Sequence, residues 1–193
     1  EIDNEVDPHR GYSFDVSARL AHPWLGSDWT VWGANARYRH WQPLSESWVF
    51  AGHVMGDLRF GDEPFFNQAY AGGMGRGVVG GRWILKGLAE ERYRGDGMFF
   101  VQPELRWTFW TPTIRKAHTA WILAPFVDLA SIWTWEAPQD ALALKTTAGL
   151  GLRVNIRDLI VFRFDAGVGL EEYDTAPYRR PEWQVYVLSE HPF

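Results

Sequence analysis

The chain has 193 residues, a formal net charge of −5, no cysteine, and twelve tryptophans within an aromatic share of 16%. The length fits one domain. The lack of cysteine excludes a disulfide framework and thiolate metal sites, and the acidic balance argues against nucleic acid as a partner. Hydropathy is mildly polar on average, and no run approaches the roughly 18–20 apolar residues of a membrane helix. Many aromatics, a polar average and no spanning helix together fit a transmembrane β-barrel. There only alternate residues meet lipid, and aromatic girdles mark the two interfaces.

Residues 1–11 read as a leader ahead of the barrel domain, 12–193, without the basic start or apolar core of a signal peptide. The first alternating run is Tyr12 to Ala21, with Tyr12, Phe14, Val16, Ala18 and Leu20 on one face and Ser13, Asp15, Ser17 and Arg19 on the other. The second, Trp29 to His40, sets Trp32, Ala34, Ala36 and Tyr38 against Gly33, Asn35, Arg37 and Arg39. A short turn with Pro43 leads to the third, Trp48 to Phe60, where Trp48, Phe50, Val54, Leu58 and Phe60 oppose His53, Asp57 and Arg59. A long connection, 61–97, follows.

Met98 to Trp110 alternates Phe99, Val101, Leu105, Trp107 and Phe109 with Gln102, Glu104, Arg106 and Thr108. After the basic turn Thr111 to Lys116, the run His118 to Trp135 is apolar on both faces, with Asp128 its only charge. Leu144 to Ile156 sets Ala148, Leu150, Leu152, Val154 and Ile156 against Thr147, Gly149, Gly151, Arg153 and Asn155. Leu159 to Leu170 pairs Ile160, Phe162, Phe164 and Val168 against Arg163, Asp165 and two glycines, and Trp183 to Phe193 closes the chain. That makes about eight antiparallel strands. Connections after strands two, four and six are short and those after one, three, five and seven are longer, the asymmetry of periplasmic turns and extracellular loops. A soluble β-sandwich also alternates, but large aromatics on one face of nearly every strand are too many for one core.

The long connection contains PFFNQAYAGGMGRGVVGGRW, Pro64 to Trp83, rich in glycine and without a period. Gly72-Gly73 precede Arg76-Gly77. The next strand carries Glu104-x-Arg106, the one after it PFVDLASIW with Asp128, and the next Gly149-x-Gly151-x-Arg153; the chain ends in Phe193. In this order and spacing, the segments resemble the C-terminal part of the BamA/TamA superfamily of outer-membrane barrels, which includes protein-insertion machines and two-partner secretion transporters. Val78 stands where that pattern has an aromatic, and Ser189 and His191 stand at outward positions of the last strand where apolar residues are usual. The sequence holds no POTRA repeats and none of the first eight strands of a 16-stranded barrel, so the resemblance implies a short member or a C-terminal half-barrel.

The resemblance further implies a bacterial outer-membrane location, a role in protein or lipid assembly or translocation, and a long loop folded back into the lumen. Arg76, flanked by Gly75 and Gly77, would be a loop latch together with Gly77, Gly72 and Gly73. Glu104 and Asp128 would be its acceptors among the basic lumen residues Arg106, Arg153 and Arg163. Phe193 with Tyr186 would form a C-terminal assembly signal. No metal, cofactor or catalytic residue is implied.

Physically, alternation puts Glu104, Asp128, Arg106 and Arg153 on the polar face. An arginine inserted there can pair bidentately with a carboxylate, and glycines let the loop backbone approach closely. The plainer reading is a wet lumen whose charges pair locally: Arg37, Arg39, Arg59, Arg106, Arg153 and Arg163 with Asp15, Asp57, Glu104, Asp128 and Asp165. A closed eight-stranded barrel is filled by its own side chains, so a lumen loop calls for a wider ring. The expectation is a homodimer through sheet edges, as one 16-stranded ring or two open barrels, with outer-membrane lipids and protein clients as partners. Gly75, Gly77 and Gly80 match G-x-G-x-x-G but lack the βαβ unit a dinucleotide site needs. Ser189 and His191 leave open an enzyme acting on lipid A or phospholipid, though no carboxylate is placed to orient the histidine. A passive pore is the third reading.

Overall fold

The computed structural model describes residues 1–4, 7–62, 64–72, 84–89, 92–157, 159–170 and 182–190. Eight long strands run antiparallel in chain order, each hydrogen-bonded to the next. They are β1 (Gly11–Ala21), β2 (Val31–Pro43), β3 (Trp48–Gly61), β4 (Gly97–Trp110), β5 (Ala117–Trp133), β6 (Lys145–Ile156), β7 (Ile160–Gly169) and β8 (Trp183–Glu190). Each expected run is a strand, the last of them as far as Glu190, beyond which residues 191–193 lie outside those described. The one notable boundary difference is β2, which starts after Thr30 and continues to Pro43 because its ladder with β3 extends to Val49.

The short connections are tight. Between β4 and β5, Ile114 pairs with Ala117 across Arg115 and Lys116, whose φ values of 48° and 68° are both positive. That is the pattern of a type I′ hairpin turn, whose twist matches the flanking strands. The connection from β3 to β4 carries a small hairpin of its own, Ala69–Ala71 against Tyr93–Gly95.

Period-two alternation fixes which face each residue meets. On the convex face Phe14, Val16, Trp32, Phe50, Phe99, Trp107, Leu150, Phe164, Val185 and Val187 are exposed. On the concave face the ladder of β3 and β4 sets Ala51 opposite Glu104 and His53 opposite Gln102. Apolar side chains outside and charged ones inside invert the pattern of a soluble sheet and match a lipid-facing barrel wall.

The tryptophans have an address. At the long-loop end Trp32 stacks on Phe60 with 4.0 Å between ring centroids, and Phe60 on Trp135 at 4.7 Å. At the short-turn end Trp48 stacks on Trp107 at 5.5 Å, and Trp110 meets Trp121 at 5.5 Å. Trp48 and Phe60 are 60 − 48 = 12 residues apart on β3. At ~3.3 Å per residue and the ~40° tilt usual in barrels, that separation is about 30 Å, the thickness of a bilayer's hydrocarbon core. The two aromatic clusters are therefore girdles at the two interfaces.

The sheet is a partial barrel. Among the described residues no ladder joins β1 to β8. The foot of the free β1 edge is met by the chain's own start: Glu1 N donates to Tyr12 O at 2.8 Å and Tyr12 N to Glu1 O at 2.9 Å. From there the first residues cross the short-turn end of the lumen. Asp7 is buried there, accepting from Asn155 Nδ2 of β6 at 3.0 Å and pairing with Arg106 of β4 at 3.5 Å.

Candidate functional site

The site is the concave face of β3 to β8 together with the part of the long loop that lies on it. Its floor is apolar. Met55, Met98, Phe100, Ala130 and Ile132 from β3, β4 and β5 pack with Ala69, Ala71, Ile84, Leu85 and Leu88 of the loop. This explains why β5 is apolar on both faces: one meets lipid and the other meets the loop. Lumen-facing glycines make room for the loop on β7 and for the Phe126 ring on β6. A Cβ at Gly149 would collide with the Phe126 ring, and one at Gly167 would lie 2.5 Å from Lys86 O.

The segment Ile84–Ala89, the tongue, is held through its main chain. Lys86 N donates to Asp128 Oδ2 at 2.8 Å, Gly87 N to Tyr186 Oη at 3.2 Å, and Ala89 N to Glu182 Oε2 at 3.0 Å. Tyr186 Oη in turn donates to Leu88 O at 3.4 Å. Gly87 has φ +110° and lies against the backbone of β7, where an added Cβ would sit 2.5 Å from both Gly167 C and Val168 N.

Lys86 is fully buried. Its Nζ lies 3.2 Å from the centroid of the Phe126 ring and 3.7 Å from Asp165 Oδ2. Burial pushes its ammonium below the usual lysine range, while Asp128, Glu104 and Asp165 pull it back up. The face of the Phe126 ring and the Asp165 carboxylate are the groups that meet the lysine nitrogen at this depth.

The charges around the tongue are paired with one another. Glu104 accepts from Arg106 Nε at 2.8 Å and from Arg153 Nη2, so the carboxylate is shared by two guanidinium groups. Arg106 carries the connection on to Asp7 and to Pro8 O. Asp128, across from Thr147 in the β5–β6 ladder, accepts from Gln102 Nε2 at 2.5 Å as well as from Lys86 N. Arg163 pairs with Asp165 at 3.1 Å. Nearer the long-loop end, Arg59 pairs with Asp57 at 2.9 Å and donates to Asn67 O of the loop.

The residues singled out from the sequence are therefore distributed as follows. Glu104, Arg106 and Arg153 meet one another, and Asp128 meets the tongue. Arg163 is tied to Asp165, and Tyr186 is on the lumen face of β8. Gly72, at φ +122°, donates its N–H to Ile84 O at 3.1 Å. Gly73, Arg76, Gly77 and Phe193 lie outside the described residues, as does His191; Ser189 is opposite Phe162 on β8. Sequence reasoning missed Lys86, Gly87, Gln102, Asp7 and Asn155. The available signal for the first two was a lone lysine and glycine inside an apolar run, Ile84-Leu85-Lys86-Gly87-Leu88, which a solvent-exposed loop has no reason to carry.

A family model described as the Omp85 superfamily domain matches residues 1–185. Among solved structures, the chain is similar to BamA from Haemophilus ducreyi lacking POTRA domains 1–3, with a TM-score of 0.71 at 18% sequence identity. The alignment covers 98% of this chain and 40% of that one, so the chain spans well under half of that neighbour's length. At this identity the likeness speaks for the fold alone. A comparison with curated proteins found no match. The family match takes in β1 to β7, the tongue and the start of β8, and the chain belongs to the Omp85 superfamily as a BamA/TamA-type outer-membrane β-barrel.

Proposed function

We propose that this protein resides in the bacterial outer membrane and acts there in the assembly or translocation of proteins or lipids, without catalysing a covalent step. The observation that carries the reading is the loop. A segment of a long connection is buried in the lumen, on a sheet whose two edges are not joined among the described residues. A passive wall has no use for an internal tongue, whereas a barrel that must hold one arrangement and change to another does. In this reading Arg76, with Gly72, Gly73 and Gly77, adds to the hold by reaching the Glu104 and Asp128 region. Lipids contact the convex face.

Unpaired strand edges are costly in lipid, and we propose that a second copy supplies the missing pairing. Native mass spectrometry in detergent is expected to show dimers; monomer alone across the accessible concentration range refutes this part. The functional reading is tested by reconstituting the protein in liposomes and adding an unfolded small β-barrel client. Heat-modifiable mobility then reports how fast the client folds. Faster folding than in protein-free liposomes is expected. Equal rates, together with an ohmic conductance in planar bilayers, leave a pore and sink the assembly reading.

A further inference from the structure

We infer that Tyr186, with Glu182, is the positioning residue through which the loop holds the edge strand β8 in place. The inference rests on the reading that the loop belongs in the lumen. Among the described residues β8 has a ladder on one side only, with β7. Its convex side chains Trp183, Val185 and Val187 are exposed. A strand so placed is expected to fray. Yet the Tyr186 side chain on its concave face is buried.

The reason is the tongue. Its hydrogen bonds from three successive residues end on two side chains four positions apart. Gly87 N and Leu88 O both use the Tyr186 hydroxyl, as acceptor and as donor, and Ala89 N uses Glu182. The hydroxyl's two roles fix both the height and the direction of the contact, because a shift of β8 by one residue turns Tyr186 to the lipid face. The tongue itself is seated on β7, with Gly87 against Gly167 and Leu88 against Gly169. A central strand is fixed by its second ladder; β8 is fixed by side-chain contacts to a loop. The backbone groups on its free edge are thereby presented at a set height and register to whatever strand pairs with them.

The test is hydrogen–deuterium exchange of the full chain in detergent micelles, comparing wild type with Tyr186→Phe, Glu182→Ala and Arg76→Ala. Tyr186→Phe keeps the ring and removes only the hydroxyl. It is expected to speed exchange about thirtyfold, the effect of losing both of the hydroxyl's hydrogen bonds, in peptides covering both 84–89 and 183–188. Peptides from β2 and β3 should be unchanged, and Glu182→Ala should act in the same two places. Faster exchange in the tongue alone overturns the positioning of β8, and no change in either overturns the inference altogether. Uniform acceleration across all strands in both variants also overturns it, being a general loss of stability. If Arg76→Ala frees the loop and Tyr186→Phe does not, the lumen-loop reading stands and this inference falls. The opposite result supports the inference and removes Arg76 from the hold. If neither variant frees the loop, both ideas fail.

Discussion

Replacing Gly87 by alanine tests the seat of the tongue with one methyl group. The new Cβ would sit 2.5 Å from Gly167 C and Val168 N, against about 3.5–4.0 Å for carbons in ordinary contact. The backbone on both sides is pinned, so the tongue must retreat by roughly 1 Å. A retreat of that size lengthens Lys86 N to Asp128, now 2.8 Å, and Gly87 N to Tyr186, now 3.2 Å, beyond hydrogen-bonding range. Losing one bond to a carboxylate and one neutral bond costs about 2–4 kcal/mol. The +110° φ of Gly87 adds strain of about 1–3 kcal/mol for a residue with a side chain. The two routes overlap, and a loss of order 3 kcal/mol is expected. Gly26→Ala is the control: its φ is +83° but nothing lies within 4 Å of the added Cβ, so it carries backbone strain without collision. Urea unfolding in micelles, followed by tryptophan fluorescence, should place the Gly87→Ala midpoint well below that of Gly26→Ala. Equal midpoints would refute the seat.

Glu104→Gln removes the carboxylate shared by Arg106 and Arg153, taking from Arg153 its ion-pair partner and leaving Arg106 with Asp7 alone. Breaking a buried pair in this way costs about 3–5 kcal/mol. The same urea titration should show it, with Glu104→Gln/Arg153→Gln recovering part of the loss; a double variant less stable than the single one contradicts the pairing. Asp7→Ala should free the first residues from Arg106 and Asn155 at a cost of about 1–3 kcal/mol. The expected sign is faster proteolytic trimming of the N-terminal segment with β1 intact, and an unchanged trimming rate argues that Asp7 holds nothing.

The strands were legible because a two-residue period leaves a mark in every short window, and lipid on one side makes that mark strong. The same period makes some ion pairs legible: Asp57 with Arg59, Glu104 with Arg106, and Arg163 with Asp165 are two apart on one strand and share a face. The seat of the loop was not legible. Its bonds join residues far apart in sequence, 42 positions for Lys86 to Asp128 and 99 for Gly87 to Tyr186. The loop's side of those bonds is main chain, which every residue possesses. The aromatic count was legible as an excess, but the separation of the rings into two levels needed the register of the strands.

Those two levels also constrain how the molecule can move. Rings stacked at both ends of the sheet make any vertical slip unfavourable: one set would enter hydrocarbon as the other entered water. Rotation of neighbouring strands about their own long axes meets no such penalty, since it keeps every ring at its depth. The sheet is therefore stiff against sinking or tilting and compliant against a change of curvature. Among the described residues β1 and β8 are not joined, so a change of curvature would act on the spacing of these two edges while leaving their height in the bilayer unchanged.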